Sequence, residues 1–167
     1  MSAHLAANPV LAFLTFIGCV GHGQEAVSVA PACPMPDINT WNWPLTVNRH
    51  FSALIPPGYR EIKGLRSFDS FVGGWSGPDG SAVGFDYGRY SNTLEEAGKR
   101  PEASICFERI DGFRVYVVSW IDDSARYCAG GAWGDGPGHN RLTFTGCGRD
   151  IQAQREILAL LRSVDFN

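Results

Sequence analysis

The sequence predicts an α+β domain: an antiparallel β-sheet flanked by helices, layered as an α/β/α sandwich, with a C-terminal helix. Three observations carry this. SICFERIDGFRVYVVSWI (Ser104–Ile121) is a strong hairpin whose second strand is apolar on both faces, as a sheet covered on both sides requires. IQAQREILALLR (Ile151–Arg162) places Ile157, Leu158 and Leu161 on one helical stripe with Ile151 behind it. Twenty glycines and ten prolines demand many turns and leave little room for long helices. At 167 residues, with 44% apolar and 19% charged side chains, the chain suits one globular domain. The expected organisation is a signal peptide over 1–18, a tether over 19–40 and a single α+β domain over 41–167.

The leader comes first. Its first eighteen residues contain no Asp, Glu, Lys or Arg, and the stretch from Pro9 to Ile17 is apolar except for Thr15. That run is far shorter than the roughly 20 residues of a spanning helix, but it fits the apolar region of a secretion signal. It stops at Gly18-Cys19. FIGC (Phe16–Cys19) resembles the lipobox of bacterial lipoproteins, with Phe16 where leucine is usual and with His4 as the sole basic side chain ahead of it. The resemblance implies lipidation at Cys19; plain cleavage further along is the alternative. A buried N-terminal helix with an inert cysteine fits poorly with Pro9 and the glycine-rich exit. Residues 20–40, rich in Pro, Gly, Ala and Ser, read as a tether between anchor and body.

In the body, Trp41 and Trp43 alternate ahead of Pro44. FSALIP reads as a first strand on Phe51, Ala53 and Ile55, stopped by Pro56-Pro57-Gly58. Residues 68–76 form a weak strand, followed by the turn Gly77-Pro78-Asp79-Gly80. In AVGFDYG, Val83, Phe85 and Tyr87 face one way. TLEE (Thr93–Glu96) has the form of a capping box, and Gly98 and Pro101 close its helix early. In the long hairpin, Asp111-Gly112 suits a two-residue turn. That register sets Ile110 opposite Phe113, Glu108 opposite Val115 and Cys106 opposite Val117. RLTFTG gives a last clear strand on Leu142 and Phe144. Asp150 caps the final helix, and SVDF is an extended tail that packs back onto the body.

Four cysteines remain beside Cys19, and an even number in an exported chain reads as two disulfides. Three connectivities exist. The favoured one joins Cys128 to Cys147, clamping the glycine-rich stretch GGAWGDGPGHNR, and Cys33 to Cys106, stapling the N-terminal arm. Closing a loop of about 20 residues gives about 3 kcal/mol in the chain-entropy model. His139 between Cys128 and Cys147 offers a metal reading, but C-x10-H-x7-C is not the spacing of a tight zinc knuckle.

FSALIPPGY (Phe51–Tyr59), the TLEE helix and ILALLRSVDF (Ile157–Phe166) together resemble the PsbP/Mog1-like fold across residues 45–167. The first is similar to that family's opening strand with its Pro-x-Gly-aromatic turn, the last to its terminal helix and Ser-Val-x-Phe end. The resemblance implies the α/β/α sandwich. Members include extrinsic photosystem subunits, a nuclear-transport cofactor and many bacterial envelope lipoproteins. The fold has no shared catalytic set, so no functional residue is carried over.

Chemistry is sparse. A net charge of −3 with no Lys/Arg run excludes a nucleic-acid footprint. His50 precedes a strand and reads as solvated or hydrogen-bonded. GWSGP (Gly74–Pro78) approaches a nucleophile elbow, but Pro78 replaces the last glycine and a strand, not a helix, follows. There is no phosphate loop, no dinucleotide fingerprint and no EF-hand spacing. The reading that results is a non-catalytic exported envelope domain without a cofactor or metal, reaching the membrane through a lipid anchor only, or else periplasmic or secreted. It binds another protein or a cell-wall component. Trp133, Asp135 and His139 in the disulfide-closed loop are the candidate contact residues. Two alternatives stand beside it: a secreted hydrolase using Glu108 or an aspartate with His139, and a carbohydrate-binding module using Trp75 and Trp133. Trp75, Tyr87, Tyr90 and Trp133 would be its surface rings, core filling being the other role open to them.

Overall fold

The structure is a computed structural model that describes Cys33 and residues 36–134 and 140–167. Ten strands and two helices follow one another along it: β1 (Leu45–Val47), β2 (Phe51–Leu54), β3 (Arg60–Glu61), β4 (Ser70–Ser76), β5 (Ala82–Gly88), α1 (Glu95–Gly98), β6 (Ser104–Ile110), β7 (Phe113–Ile121), β8 (Tyr127–Trp133), β9 (Arg141–Gly148), α2 (Ile151–Arg162) and β10 (Asp165–Phe166). Seven strands form one antiparallel sheet in the order β3-β4-β5-β9-β8-β7-β6, and β1, β2 and β10 form a second, smaller one. Nothing among the described helices is long and apolar enough to cross a membrane.

This corrects the expected α/β/α sandwich. The molecule is mostly β, and the large sheet has a full helix, α2, on one face and only the single turn of α1, against β7, on the other. The core face is covered by α2, which lies over β8 and β9, and by the small sheet. Ile157, Leu160 and Leu161 of α2 are buried, and Phe51 of β2 packs edge-on to Phe85 and Phe144, with ring centroids 5.0 and 5.3 Å apart. Asp150 caps α2 as the sequence requires, its Oδ1 accepting from the Ala153 amide at 2.9 Å. The tail pairs with β2 as β10.

The other face carries only one turn of helix, and TLEE does not act as a capping box there. Leu94 takes the cap position with φ 63°, and no side chain caps the helix, which then lasts only Glu95–Gly98. Leu94 itself is buried. α1 itself packs against β7, and the loop ahead of it brings Leu94 to Gly130, the pairing partner of Val118. That loop is pinned where the Thr143 hydroxyl donates to the Asn92 carbonyl and where Asn92 Oδ1 accepts from the Leu94 amide at 2.7 Å.

The second correction concerns β8. YCAGGAW is a strand paired on both sides, not part of a loose loop. Its glycines allow close approach: a Cβ on Gly130 would lie 2.7 Å from a Leu94 methyl and 2.9 Å from the Phe144 carbonyl. Cys128 stands directly opposite Cys147, so their disulfide bridges two neighbouring strands. The second disulfide joins Cys33 to Cys106. This is the pairing that the sequence favours. Cys33 and Ile38, within the expected tether, pack against the core, so the body begins ahead of Trp41. The signal-peptide region and Cys19 lie outside the described residues.

Candidate functional site

The long hairpin adopts the register its turn dictates, with Ile110 opposite Phe113 and Cys106 opposite Val117. Alternation then fixes which side chains share the outer face. One row across it reads Phe107, Tyr116, Ala132, Thr143 and Asp86. The next row toward the sheet end puts Arg109 opposite Arg114 and carries Arg141 on β9. Arg89 follows directly after β5. Like charges directly opposite one another cost stability, so this end of the sheet holds positive charge at some expense.

These rows floor a groove. One part, about 580 Å³, is lined by Arg89, Tyr90, Asn92, Thr93 and Arg141. The adjoining part, about 450 Å³, adds Glu95, Phe107, Tyr116 and Ala132. Phe107 and Tyr116 lie with ring centroids 5.4 Å apart, and the Arg114 guanidinium sits 4.2 Å from the centroid of Phe107. Tyr90 is 76% exposed. Burial, with the Glu95 charge second, raises the Tyr116 hydroxyl above its ordinary pKa, so it stays a neutral hydrogen-bonding group. Arg109 Nη1 donates to the Gly112 carbonyl at 2.9 Å. Among the described residues, Arg89, Arg109, Arg114 and Arg141 form no salt bridge. No family model matches the chain, and no curated protein matches it closely.

The residues singled out from sequence fall elsewhere. Trp133 is 0% exposed and Trp75 6% exposed, both on the core face, which removes them as surface rings. Trp133 Nε1 is buried with no hydrogen-bond partner among the described residues. Tyr87 is buried as well, so Tyr90 alone of the four rings is surface-exposed. Asp135 and His139 lie outside the described residues. Glu108 is on the core side, held by Arg162 at 3.1 Å.

No catalytic constellation emerges among the described residues. The His50 ring packs on Tyr87 at 4.4 Å, and its Nε2 accepts from Arg49 Nε at 2.8 Å. Burial first, and Arg49 second, lower its pKa, so its lone pair is engaged by a guanidinium rather than aimed at a nucleophile. Ser81, Asp79 and Tyr59 look like a reactive trio but form a turn clamp. The Ser81 hydroxyl donates to Asp79 Oδ1 at 2.6 Å, which leaves its oxygen to accept from Tyr59, 2.7 Å away. The Ser81 amide also reaches Asp79 Oδ1, and Ser81 is 1% exposed, closed to any substrate. Asp122, Cys128 and Cys147 cluster like metal ligands, but the two sulfurs are bonded to each other and Asp122 accepts from Arg126. Metal sites use thiolates, so this cluster is structural.

The sequence reading missed Phe107, Tyr116, Arg114 and Arg141. The hairpin register contained the first three, including the opposed arginines. Arg141 joins them only through β8, which the glycines had disguised.

Proposed function

We propose that the chain is a non-catalytic exported domain that binds a partner, a wall component or another protein, through the groove on the outer face. The observation that carries the reading is the unneutralised arginine row beside exposed rings, on the sheet face that only the single turn of α1 overlies. Two disulfides are consistent with an oxidising compartment, which supports export. The leader FIGC supports a lipid at Cys19, and intact mass of the mature protein reads that directly. The hydrolase alternative has no positioned imidazole among the described residues to act as base. The carbohydrate alternative loses both of its original rings and survives only through Tyr90 and Phe107.

The test is co-sedimentation with isolated envelopes of the producing cell. The disulfide-intact protein should pellet, and a Phe107→Ala/Arg141→Gln double variant, folded by circular dichroism, should stay in the supernatant. Equal pelleting of both would remove the groove from the account.

A further inference from the structure

We propose that the groove binds a carboxylated sugar, a uronic-acid unit of an acidic oligosaccharide; this rests on the binding reading above and names its ligand.

Charge sets the sign of the ligand. Arg89 and Arg141 line the two cavity parts, and Arg114 lines a third of about 330 Å³ that shares Phe107 and Tyr116 with the second; the carboxylates nearby among the described residues are Glu95 in the lining and Asp86 at the far end of the floor row. The chain as a whole carries −3, so this positive patch runs against the molecule's overall charge. Arg109 and Arg114 face each other across the hairpin without an intervening carboxylate. A bound anion is what would offset that repulsion. Guanidinium presents a planar fork that matches a carboxylate better than an ammonium does.

The sheet sets the ligand's shape. The groove lies on the face of β9, β8 and β7, whose backbone amides and carbonyls are used in ladders on either side, and reaches Phe107 on the edge strand β6. An extended peptide could lengthen the sheet only in its plane beyond β6, not on the face where the groove lies, so recognition in the groove falls to side chains. The side chains supplied are ring faces and polar tips. Tyr90 and Phe107 offer apolar faces for the C–H side of a sugar ring. Asn92 and Thr93 line the polar half, where hydroxyls would lie. The Asn92 carbonyl groups are already used in holding the loop, by the Leu94 amide and the Thr143 hydroxyl, so only its side-chain amide nitrogen remains to donate to a ligand oxygen. Both cavity parts fall within the roughly 300–1,000 Å³ of small-ligand sites.

Isothermal titration of the disulfide-intact protein tests this with three probes: a short oligogalacturonate, the same oligosaccharide as its methyl ester, and poly-glutamate. Oligogalacturonate should bind, and esterification should abolish binding. Arg141→Gln should weaken it about tenfold, the scale of one lost charge-assisted contact, and Arg141→Lys should recover only part of it. Phe107→Ala should weaken it while leaving the thermal transition near wild type, and Phe68→Ala, on an exposed loop residue, should change nothing. No binding of oligogalacturonate, or equal binding of its ester, overturns the proposal. Equal binding of poly-glutamate overturns it too, because charge alone would then suffice. If the sugar fails while envelope co-sedimentation still depends on Phe107 and Arg141, the ligand is wrong and the groove remains.

Discussion

On the core face of the seven-stranded sheet, Phe85, Phe144 and Trp133 lie under a helix and a second sheet, each at most 8% exposed. On the outer face, the same sheet presents Phe107, Tyr116, Arg114 and Arg141 to a groove, with Arg109 beside it. Both faces carry aromatic rings. They differ in what lies opposite. The core rings meet other rings, as in the T-shaped contact of Phe51 with Phe85, and their burial stabilises the fold through area removed from water. The outer rings meet guanidiniums as well as each other, as Phe107 meets both Arg114 and Tyr116, and with more of their area left in water they contribute less to stability. An apolar ring placed among unneutralised charges is therefore better explained by a ligand than by folding.

The sharpest way to break this contrast is to truncate one ring from each face. Phe144→Ala should lower the unfolding free energy by about 3–5 kcal/mol, the usual cost for a buried phenylalanine. Phe107→Ala should cost about 1 kcal/mol or less, the scale of an exposed aromatic contact. Urea melts of both variants provide the comparison. Similar losses would mean that the outer rings are a second core and not a surface for binding.

Much of this asymmetry was legible in advance, and the illegible part has a definite cause. Asp111-Gly112 fixed the hairpin register, and with it the neighbours of Glu108, Cys106 and Phe107, because the turn is local. The stripe on α2 and its Asp150 cap were equally local. The assignment of Trp133 to the surface failed because which face a strand residue occupies depends on partners distant in sequence. Leu142 and Val115, its two neighbours in register, lie on other strands. Gly130 and Gly131 deepened the error, since glycine signals a loose turn and a tight strand crossing alike. TLEE failed for a tertiary reason: Leu94 is buried at a positive φ, and its packing overrides the capping pattern.

Glycine gives the next and smaller test, again one residue from each environment. Gly130→Ala must displace Leu94 and crowd the Phe144 carbonyl, contacts of 2.7 and 2.9 Å. A loss of about 1–3 kcal/mol is expected, as for overpacking generally. Gly134 borders the groove with nothing within 4 Å of an added Cβ. Gly134→Ala should therefore be neutral or slightly stabilising, by up to about 1 kcal/mol through the unfolded chain. Differential scanning calorimetry of the two variants should separate them. If they fall together, β8 is not the close-packed crossing described above.

The smallest effect tests the outer face most directly. Arg109 and Arg114 stand opposite one another, but each also makes a favourable contact, with the Gly112 carbonyl and the Phe107 ring respectively. Single substitutions thus mix relief of repulsion with loss of a contact, and their signs are uninformative. A double-mutant cycle of Arg109→Gln and Arg114→Gln removes the ambiguity. Either single change already relieves the repulsion, so the double variant gains that relief only once. It should therefore be less stable than the two singles predict by addition, by about 0.2–1 kcal/mol. Added salt should shrink the coupling, because exposed charges are screened over about 10 Å at 0.1 M. Binding of a carboxylated ligand should reverse its sign, since the two guanidiniums would then share an anion. A cycle that closes to zero at low salt would show that the arginines do not sense each other, and with that the argument for a preset anion site on this face would fail.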